Sequence, residues 1–320
     1  MPYLARRALN SLFLLFGVSL LSFLIIDLAP GEFFDEMRTN PRISNTTIDG
    51  LRSEYGLDLP LPIRYIRWLE SAMKGEGGFS LAYDSPAAPI LWSRAQNTLL
   101  LTVPATLAAW LIALPFGIWS AAKPRRWPDT FAAVIISALL AVPEILLALL
   151  LLLFAVRSRY FPVGGASSLD FSQMSLWSKS EDLARHLFLP VACLTAGLLP
   201  LLLSHVRASI REVLASPFIA AAGAHGIPLS RLLFRHALPA AANPLISLFG
   251  FSIGVLLSSS LVVEGVFGWP GLGQLLIESI LQRDFYLVVD AVVLATVLLI
   301  GGNLLADVLL YFSDPRIRVD

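Results

Sequence analysis

Three groups of residues in this 320-residue sequence could do chemistry: a patterned serine, four histidines and buried carboxylates. The segment 250–254, GFSIG, fits the G-x-S-x-G pattern that presents a nucleophilic serine in many hydrolases. It lies inside a long apolar run, so we interpret it as small residues that let helices pack closely in lipid. The histidines lack the spacing of metal ligands, and Cys193 has no second cysteine to pair with. We therefore expect no catalytic residue, no metal site and no cofactor in this chain.

Carboxylates within apolar runs form the third group. Glu144 and Asp290 both lie there, where an acidic side chain costs about 2.5–3.5 kcal/mol on insertion scales. One interpretation places either group on a path across a membrane, where it would meet a substrate amine or cation. The other is a contact between helices that satisfies the carboxylate. The residues alone leave both open, and the path is favoured more for Glu144 than for Asp290.

A polar, basic segment separates two of the apolar runs. Residues 220–239, AAAGAHGIPLSRLLFRHALP, contain Gly and Pro at positions that divide the segment into two short helices. Ser216 and Pro217 form a strong helix start, and Gly226 occupies the place of a left-handed residue after the last turn. We predict one helix over 218–225 and a second over 231–238.

Two uses of this segment agree with its composition. The small side chains of Ala220, Ala221 and Ala222 would let the groove of a partner protein approach closely. Alternatively, the segment would rest on lipid headgroups, with Arg231 and Arg235 near phosphates. The spacing alone does not choose between a partner protein and lipid.

The elements that must position these residues are membrane helices. The sequence is 56% hydrophobic and only 14% charged, too little polar surface for a soluble chain of this length. We predict an all-α polytopic membrane protein with six spans and, because the net charge is zero, no nucleic-acid partner. The spans are expected at about residues 9–29, 98–122, 131–156, 187–206, 240–263 and 286–312.

Basic residues in the short loops predict the orientation. They cluster on one side of the six-span arrangement, and short basic loops stay cytoplasmic, so both termini are expected inside. No G-x-x-x-x-G-K-[ST] phosphate loop occurs, so we do not expect the chain itself to bind or hydrolyse ATP. The basic clusters are Arg6, Arg7, Lys123, Arg125, Arg126, Arg207, Arg211, Arg231, Arg235, Arg316 and Arg318.

The first outer segment is too long for a simple connection. Helical spacing at 48–55 and at 62–73 predicts a small helical outer subdomain over 30–97; an amphipathic interfacial loop is the alternative. The expected organisation is a first part (1–29), the outer segment, a five-helix core (98–312) and a C-terminal tail (313–320). The inner loop 207–239 belongs to the core.

The inner loop resembles the Glu-Ala-Ala loop of permease subunits of binding-protein-dependent ABC importers. That pattern is EAA, three residues, Gly, nine residues and I-x-L-P. Gly226, Leu238 and Pro239 fall at the required intervals after Ala221 and Ala222. The sequence departs from the pattern at residue 220, which is Ala where the family usually has Glu, and at residue 236, which is His instead of Ile. The peptide-transporter branch often lacks that Glu, and its loss removes one possible ionic contact with the ATPase.

The resemblance extends over nearly the whole chain. It is closest to the first permease of dipeptide, oligopeptide, nickel and glutathione importers, and it includes an outer hairpin after the fifth span. Hairpin positions that match are Glu264, Trp269, Pro270 and Gly271. Other matching segments are 6–7, 17–19, 28–31, 55–58, 60–62, 78–80, 97–99 and 314–316.

The resemblance implies a type I ABC importer permease in a bacterial or archaeal inner membrane. The expected partners are a second homologous permease, two ATPase subunits that bind ATP and Mg, an external solute-binding protein, and membrane lipid. Di- or oligopeptides are the leading substrate, with nickel chelates, glutathione or another small solute as alternatives. A channel or scaffold subunit without an ATPase is the rival of a different class, and an intramembrane hydrolase would rest on Ser252 alone. The implied ATPase-coupling residues are Ser216, Pro217, Phe218, Ala220, Ala221, Ala222, His225, Gly226, Arg231, Leu238 and Pro239.

Overall fold

The computed structural model describes residues 2–31, 33–38 and 44–313. The described part is almost entirely helical, which confirms the all-α prediction. The sequence signature at 314–316 and the basic residues Arg42, Arg316 and Arg318 lie outside the described residues. In chain order the elements are α1 (Pro2–Asp27), α2 (Asp35–Arg38), α3 (Asn45–Glu54), α4 (Leu61–Met73), β1 (Phe79–Ser80), β2 (Ser85–Pro86), α5 (Ala87–Ala122), α6 (Trp127–Ala141), α7 (Glu144–Ser158), α8 (Leu176–Leu214), α9 (Pro217–Ala224), α10 (Leu229–Arg231), α11 (Leu238–Ala240), α12 (Ala242–Phe267), α13 (Leu272–Leu281) and α14 (Phe285–Ser313).

The described residues contain helices for six membrane spans if one bent pair is counted as a span. Among the described residues, α1, α5, α8, α12 and α14 are each long and apolar enough to cross a bilayer. The predicted third span, 131–156, was wrong as a single helix, because α6 and α7 meet at a bend of 91°. Pro143 causes the break: it has no N–H for the helical ladder, and it holds Val142 in an extended conformation (φ −103°, ψ 113°).

Two spans are longer than predicted. The second begins at Ala87 rather than at residue 98, and the fourth covers 176–214 rather than 187–206. Polar residues such as Arg94 and Asp182 end the apolar run without ending the helix, since neither is a helix breaker like Gly or Pro. Hydropathy therefore locates the apolar part of each helix but misses its more polar helical extensions.

The chain divides into two compact units. The first unit comprises Met1–Arg7, Thr98–Trp269 and Leu299–Asp320, in so far as these are described. Its main core is aliphatic and rich in alanine: Ala105, Ala109 and Ala113 form a fully buried stripe on α5, clustered with leucines of α8. Spaced four residues apart, these alanines share one helix face and allow close helix contact.

The second unit comprises Ala8–Asn97 and Pro270–Leu298. Aromatic rings of Phe23, Tyr65, Trp68 and Phe285 pack together in it, with the centroids of neighbouring rings 5.0–5.9 Å apart. The two helices predicted at 48–55 and 62–73 are confirmed as α3 and α4. The short hairpin of β1 and β2 was not predicted, because two-residue strands leave no periodic pattern.

Candidate functional site

The inner loop of the first unit folds as predicted into a helix, a break and a second helix. The first is α9, and Gly226 follows it with φ +82°, the left-handed conformation that glycine tolerates best. Ser216 has the extended backbone of an N-cap, but its side chain makes no capping bond. Its Oγ instead donates to the carbonyl of Val213, 2.5 Å away. The predicted helix start is confirmed in its backbone and wrong in its side-chain bond.

One face of α9 is anchored and the other is open. Ile219 is only 4% exposed, and a Cβ on Gly223 would lie 3.8 Å from Leu232 Cδ1, so this side faces the second part of the loop. Phe218 is 53% exposed, and Ala220, Ala221, Ala224 and His225 are exposed, whereas Ala222 is half-buried. The helix therefore presents a bulky ring beside small side chains on a surface that the rest of the described chain leaves uncovered.

The second part of the loop ties α9 to the body of the unit. It runs from α10 through a π-helical turn, Leu232–Ala237, to α11. Leu232 and Leu233 are buried, while Arg231 and Arg235 point to the surface. Pro239 lacks the N–H that would close the next α-helical bond, which agrees with a widened turn just before it.

The end of the loop lines an apolar cavity in the first unit. The cavity has a volume of about 370 Å³, and Leu238 and Pro239 form part of its wall. Trp110 and Phe249 line it from α5 and α12. The last two residues of the loop pattern therefore border the same cavity as residues of two of the long spans.

A charged cluster lies beside this loop. The carboxylate Oδ1 of Asp129 on α6 is 2.5 Å from guanidinium nitrogens of both Arg207 and Arg211 on α8, just before α9. The other carboxylate oxygen accepts the backbone N–H of Arg125 at 2.8 Å. Asp129 therefore joins the start of α6 to the end of α8. Sequence reasoning missed this residue, because a lone acid at a helix start usually needs no explanation beyond the helix dipole.

Glu144 lies at the break in the third span, as the first residue of α7. Its side chain interacts with the Ser259 hydroxyl, and its Oε1 is buried without a hydrogen-bond partner among the described residues. A Cβ on Gly197 would lie 3.2 Å from Oε1, so the carboxylate packs closely against this glycine of α8. The helix N-terminus favours its negative charge.

Asp290 has different surroundings, in the second unit. It is 5% exposed, and its two oxygens accept hydrogen bonds from Trp68 Nε1 at 2.6 Å and from the backbone N–H of Gly78 at 2.7 Å. Nearby, Asp284 accepts from Ser80 Oγ at 2.6 Å. This geometry favours the interpretation of Asp290 as a satisfied contact between elements over a place on a path.

The outer hairpin begins in the first unit. Glu264 is fully buried, accepts a hydrogen bond from Thr98 Oγ1 at 2.7 Å, and receives the Trp269 N–H on its carbonyl at 2.9 Å. Gly268 ends α12 with φ +59°, and Trp269 is fully buried. These contacts close the end of α12, so Glu264 and Trp269 have a structural role here.

The hairpin continues in the second unit. The Pro270 carbonyl accepts from Asn97 Nδ2 at 2.8 Å, and Gly271 caps α13. On α13, Glu278 accepts from Tyr83 Oη at 3.1 Å. Burial and the adjacent Glu278 carboxylate raise the pKa of Tyr83 above its usual value.

Ser252 is not arranged as a nucleophile. It is fully buried, accepts from Trp110 Nε1 at 3.1 Å and donates to the Phe249 carbonyl at 2.6 Å. Its neighbours in the pattern pack tightly: a Cβ on Gly250 would lie 2.5 Å from Ala306 Cβ. The interpretation of 250–254 as a packing segment is confirmed.

Comparison with known proteins identifies the class of this chain. Residues 113–319 match the family described as "Binding-protein-dependent transport system inner membrane component", so the chain belongs to that family. It is 35% identical over 321 residues to the oligopeptide transport system permease protein AppB of Bacillus subtilis (strain 168), covering 99% of each chain. It is also 31% identical over 317 residues to the glutathione transport system permease protein GsiC of Escherichia coli (strain K12), covering 99% of this chain and 98% of GsiC.

Solved structures agree in fold. An inward-facing structure of the MetNI methionine ABC transporter superposes with a TM-score of 0.56 at 18% identity, covering 70% of this chain and 96% of the other. The resemblance stated from the sequence is thus confirmed: the chain is a multi-pass membrane permease of an ABC importer. The family is one of transport components rather than enzymes, which agrees with the arrangement of Ser252.

Proposed function

We propose that this chain forms half of a translocation path for di- or oligopeptides, driven by ATP hydrolysis on partner ATPase subunits. A second homologous permease would form the other half, and an external solute-binding protein would deliver the substrate. The similarity to an oligopeptide permease and to a putative peptide permease of Brucella ovis, 33% identical over 323 residues, supports the substrate class. ATP and Mg would be held by the ATPase partners, since the sequence contains no phosphate loop.

The observation that best supports coupling to an ATPase is the exposed face of α9. It presents Phe218 beside Ala220 and Ala221, which suits insertion into a groove of a partner protein. The opposite face is fastened to the unit through Ile219 and the buried leucines of the following turn. A force applied to α9 would therefore move the body of the unit with it.

Asp129 would provide a second connection through which a force on α9 reaches the rest of the unit. Movement of α9 would pull the end of α8, and the contacts of Asp129 with Arg207 and Arg211 would carry it to α6. The loop end at Leu238 and Pro239 would carry it to α5 and α12 through the cavity wall. In this arrangement α9, the basic loops and both termini face the cytoplasm.

Glu144 is the better of the two candidate path residues. A break within the bilayer leaves helix-end carbonyls that lipid cannot satisfy, so it is tolerated where it borders protein or water. Leu140 and Ile145 on either side of the break are exposed in the single chain, which leaves this region open to the second permease or to the path. A carboxylate there would attract a cationic end of a peptide.

Co-purification tests the coupling proposal. The full chain is expressed with its permease and ATPase partners, and a variant lacking 217–226 is compared with one lacking 169–173, a mostly exposed stretch of the loop between α7 and α8. We expect ATPase subunits to co-purify with the second variant and not with the first. Retention of the ATPase without 217–226 would contradict the assignment of α9, and would favour a channel or scaffold subunit.

Glutathione is the second candidate substrate, because GsiC matches the chain over nearly its full length. Both candidates carry a free ammonium group and carboxylates, so Glu144 suits either. Uptake of labelled dipeptide, tripeptide and glutathione by proteoliposomes containing the complex and its binding protein would separate them. Uptake of none of these would contradict the proposed substrate class.

A further inference from the structure

A cavity of about 420 Å³ lies within the second unit, at the end of α1. Much of its wall is apolar, including Ile26 and Phe285. Charged side chains also line it, which suits a ligand with an apolar part and a charged head. These charged residues are Asp27, Arg64 and Arg283.

Arg64 has unused hydrogen-bonding capacity at this cavity. Its side chain is 9% exposed, and its guanidinium carbon lies 4.1 Å from the centroid of the Phe285 ring. Nη1 donates to Asp27 Oδ1 at 3.0 Å, while Nε is buried and has no partner among the described residues. A guanidinium has five N–H donors, and a buried donor without an acceptor is unfavourable. Arg64 also lines the cavity, so an acceptor group there would meet a guanidinium that has donors beyond the one bonded to Asp27.

A second guanidinium reaches the cavity from the turn between α13 and α14. Arg283 has φ +55°, an uncommon conformation for a residue with a side chain. Its guanidinium packs on the backbone of Gly31, where a Cβ would lie only 2.5 Å from Nη1. Asp35 lies 3.5 Å from Arg283 Nη1, as Asp27 lies beside Arg64. Each of these two cations thus has a carboxylate beside it, and Asp35 is shared with Arg38, whose Nη1 is 3.8 Å away.

The position of the cavity indicates what enters it. The exposed side chains of α1 are mostly apolar and continue to Leu28, which is 83% exposed, so the helix faces lipid up to the residues of the cavity. Charged groups at such a boundary lie at the depth of lipid headgroups.

We propose that this cavity binds the headgroup of a zwitterionic phospholipid of the phosphatidylethanolamine type. The phosphate would accept hydrogen bonds from Arg64 and Arg283, since guanidinium groups bind phosphate with charge-assisted, often paired bonds. The primary ammonium would donate to Asp27, whose side chain is 39% exposed. The apolar wall would take the adjoining glycerol region. The proposal requires only a membrane-spanning chain and is independent of the transported solute.

Lipid retention tests the proposal. The complex containing the full chain is reconstituted in nanodiscs of palmitoyl-oleoyl phosphatidylethanolamine, phosphatidylcholine or phosphatidylglycerol, transferred to detergent, and analysed for retained lipid by native mass spectrometry. We expect phosphatidylethanolamine to be retained about tenfold more than either other lipid, the size of effect that one charge-assisted hydrogen bond produces. Equal retention of phosphatidylcholine would overturn recognition of the primary ammonium, and equal retention of phosphatidylglycerol would overturn the role of Asp27.

Substitutions at the charged residues test whether lipid retention depends on this cavity. Arg283→Gln, at a half-exposed side chain, should lower retention about tenfold, whereas Arg94→Gln, which removes a guanidinium paired with Glu278 away from the cavity, should not change it. Asp27→Asn should shift the preference from phosphatidylethanolamine toward phosphatidylglycerol. If Arg283→Gln instead weakens docking of the solute-binding protein and leaves lipid retention unchanged, the cavity is a protein contact and the proposal is wrong.

Discussion

The two compact units are stabilised by different chemistry. In the first, a stripe of buried alanines on α5 packs with leucines of α8, and shape is the main constraint. In the second, Asp284 and Asp290 accept short hydrogen bonds from Ser80, Trp68 and the chain near Gly78. The difference predicts different sensitivities in these two regions: added volume should damage the helix contacts of the first unit, and loss of a polar atom should damage the surroundings of Asp284 and Asp290 in the second.

The largest effect is expected at Asp290. Replacing it with Ala leaves Trp68 Nε1 and the Gly78 N–H without their acceptor, which should cost about 2–4 kcal/mol. Asp290→Asn keeps one acceptor oxygen and should cost less. Thermal unfolding of the purified complex measures both variants. Equal unfolding temperatures for Asp290→Ala and the wild type would contradict the polar account of the second unit.

Added volume in α12 should have the next largest effect. Gly250→Leu should cost about 1–3 kcal/mol by overpacking, because its Cβ meets the fixed Cβ of Ala306. Gly254→Leu should cost less, since its Cβ meets the movable Cδ1 of Leu299, and Ser252→Ala least of the three. Assembly yield and unfolding temperature check this order. A Ser252→Ala variant that assembles normally but has lost all activity would favour a chemical role for the serine.

A smaller effect is expected where the first unit does use charge. Asp129→Asn leaves Arg207 and Arg211 close together without their shared carboxylate. It should cost about 1 kcal/mol, because the two guanidinium groups are partly exposed although Asp129 itself is buried. Hydrogen exchange should become faster in the first turn of α6 and stay unchanged in α4 of the second unit. Unchanged hydrogen exchange in α6 would contradict the proposal that Asp129 transmits movement from α8 to α6.

The smallest effect is expected at Ser216. Its side chain does not cap α9, so Ser216→Ala should change stability by less than about 0.5 kcal/mol. Ser175 caps α8 with a side-chain bond to the Ser178 N–H, and Ser175→Ala should cost about 1 kcal/mol. Chemical denaturation of the two variants gives the comparison. A larger loss for Ser216→Ala would mean that its bond to the Val213 carbonyl matters more than a cap does.

Local signals in the sequence were sufficient to locate the apolar runs and the helices of the inner loop, but not the exact extent of every span. Long apolar runs predict membrane helices, and the order of Ser, Pro and Gly around α9 predicts its start and end. The break at Pro143 was missed because the apolar run continues through it. Hydropathy does not show whether the axis of a helix changes direction. One proline in an apolar run is compatible with a kink as well as with a 91° bend.

The sequence did not predict which residues form contacts across long distances along the chain. Asp290 and Glu144 looked alike as acids in apolar runs, yet Asp290 is bonded to Trp68, which is 222 positions away. No local sequence pattern predicts such a hydrogen-bond partner. The same limit applies to Asp129, whose two arginines come from another helix.

The central claim is that α9 binds the ATPase. A substitution at one exposed alanine of α9 tests this claim most directly. Ala221→Leu adds volume to the open face of α9, and Ala208→Leu adds the same volume at an exposed position of α8. Substrate-stimulated ATP hydrolysis by the reconstituted complex is then measured for both variants at equal protein stability. We predict that Ala221→Leu lowers the stimulated rate at least about tenfold, as loss of a close-packed contact would, and that Ala208→Leu leaves it unchanged. Wild-type rates for Ala221→Leu would contradict the claim.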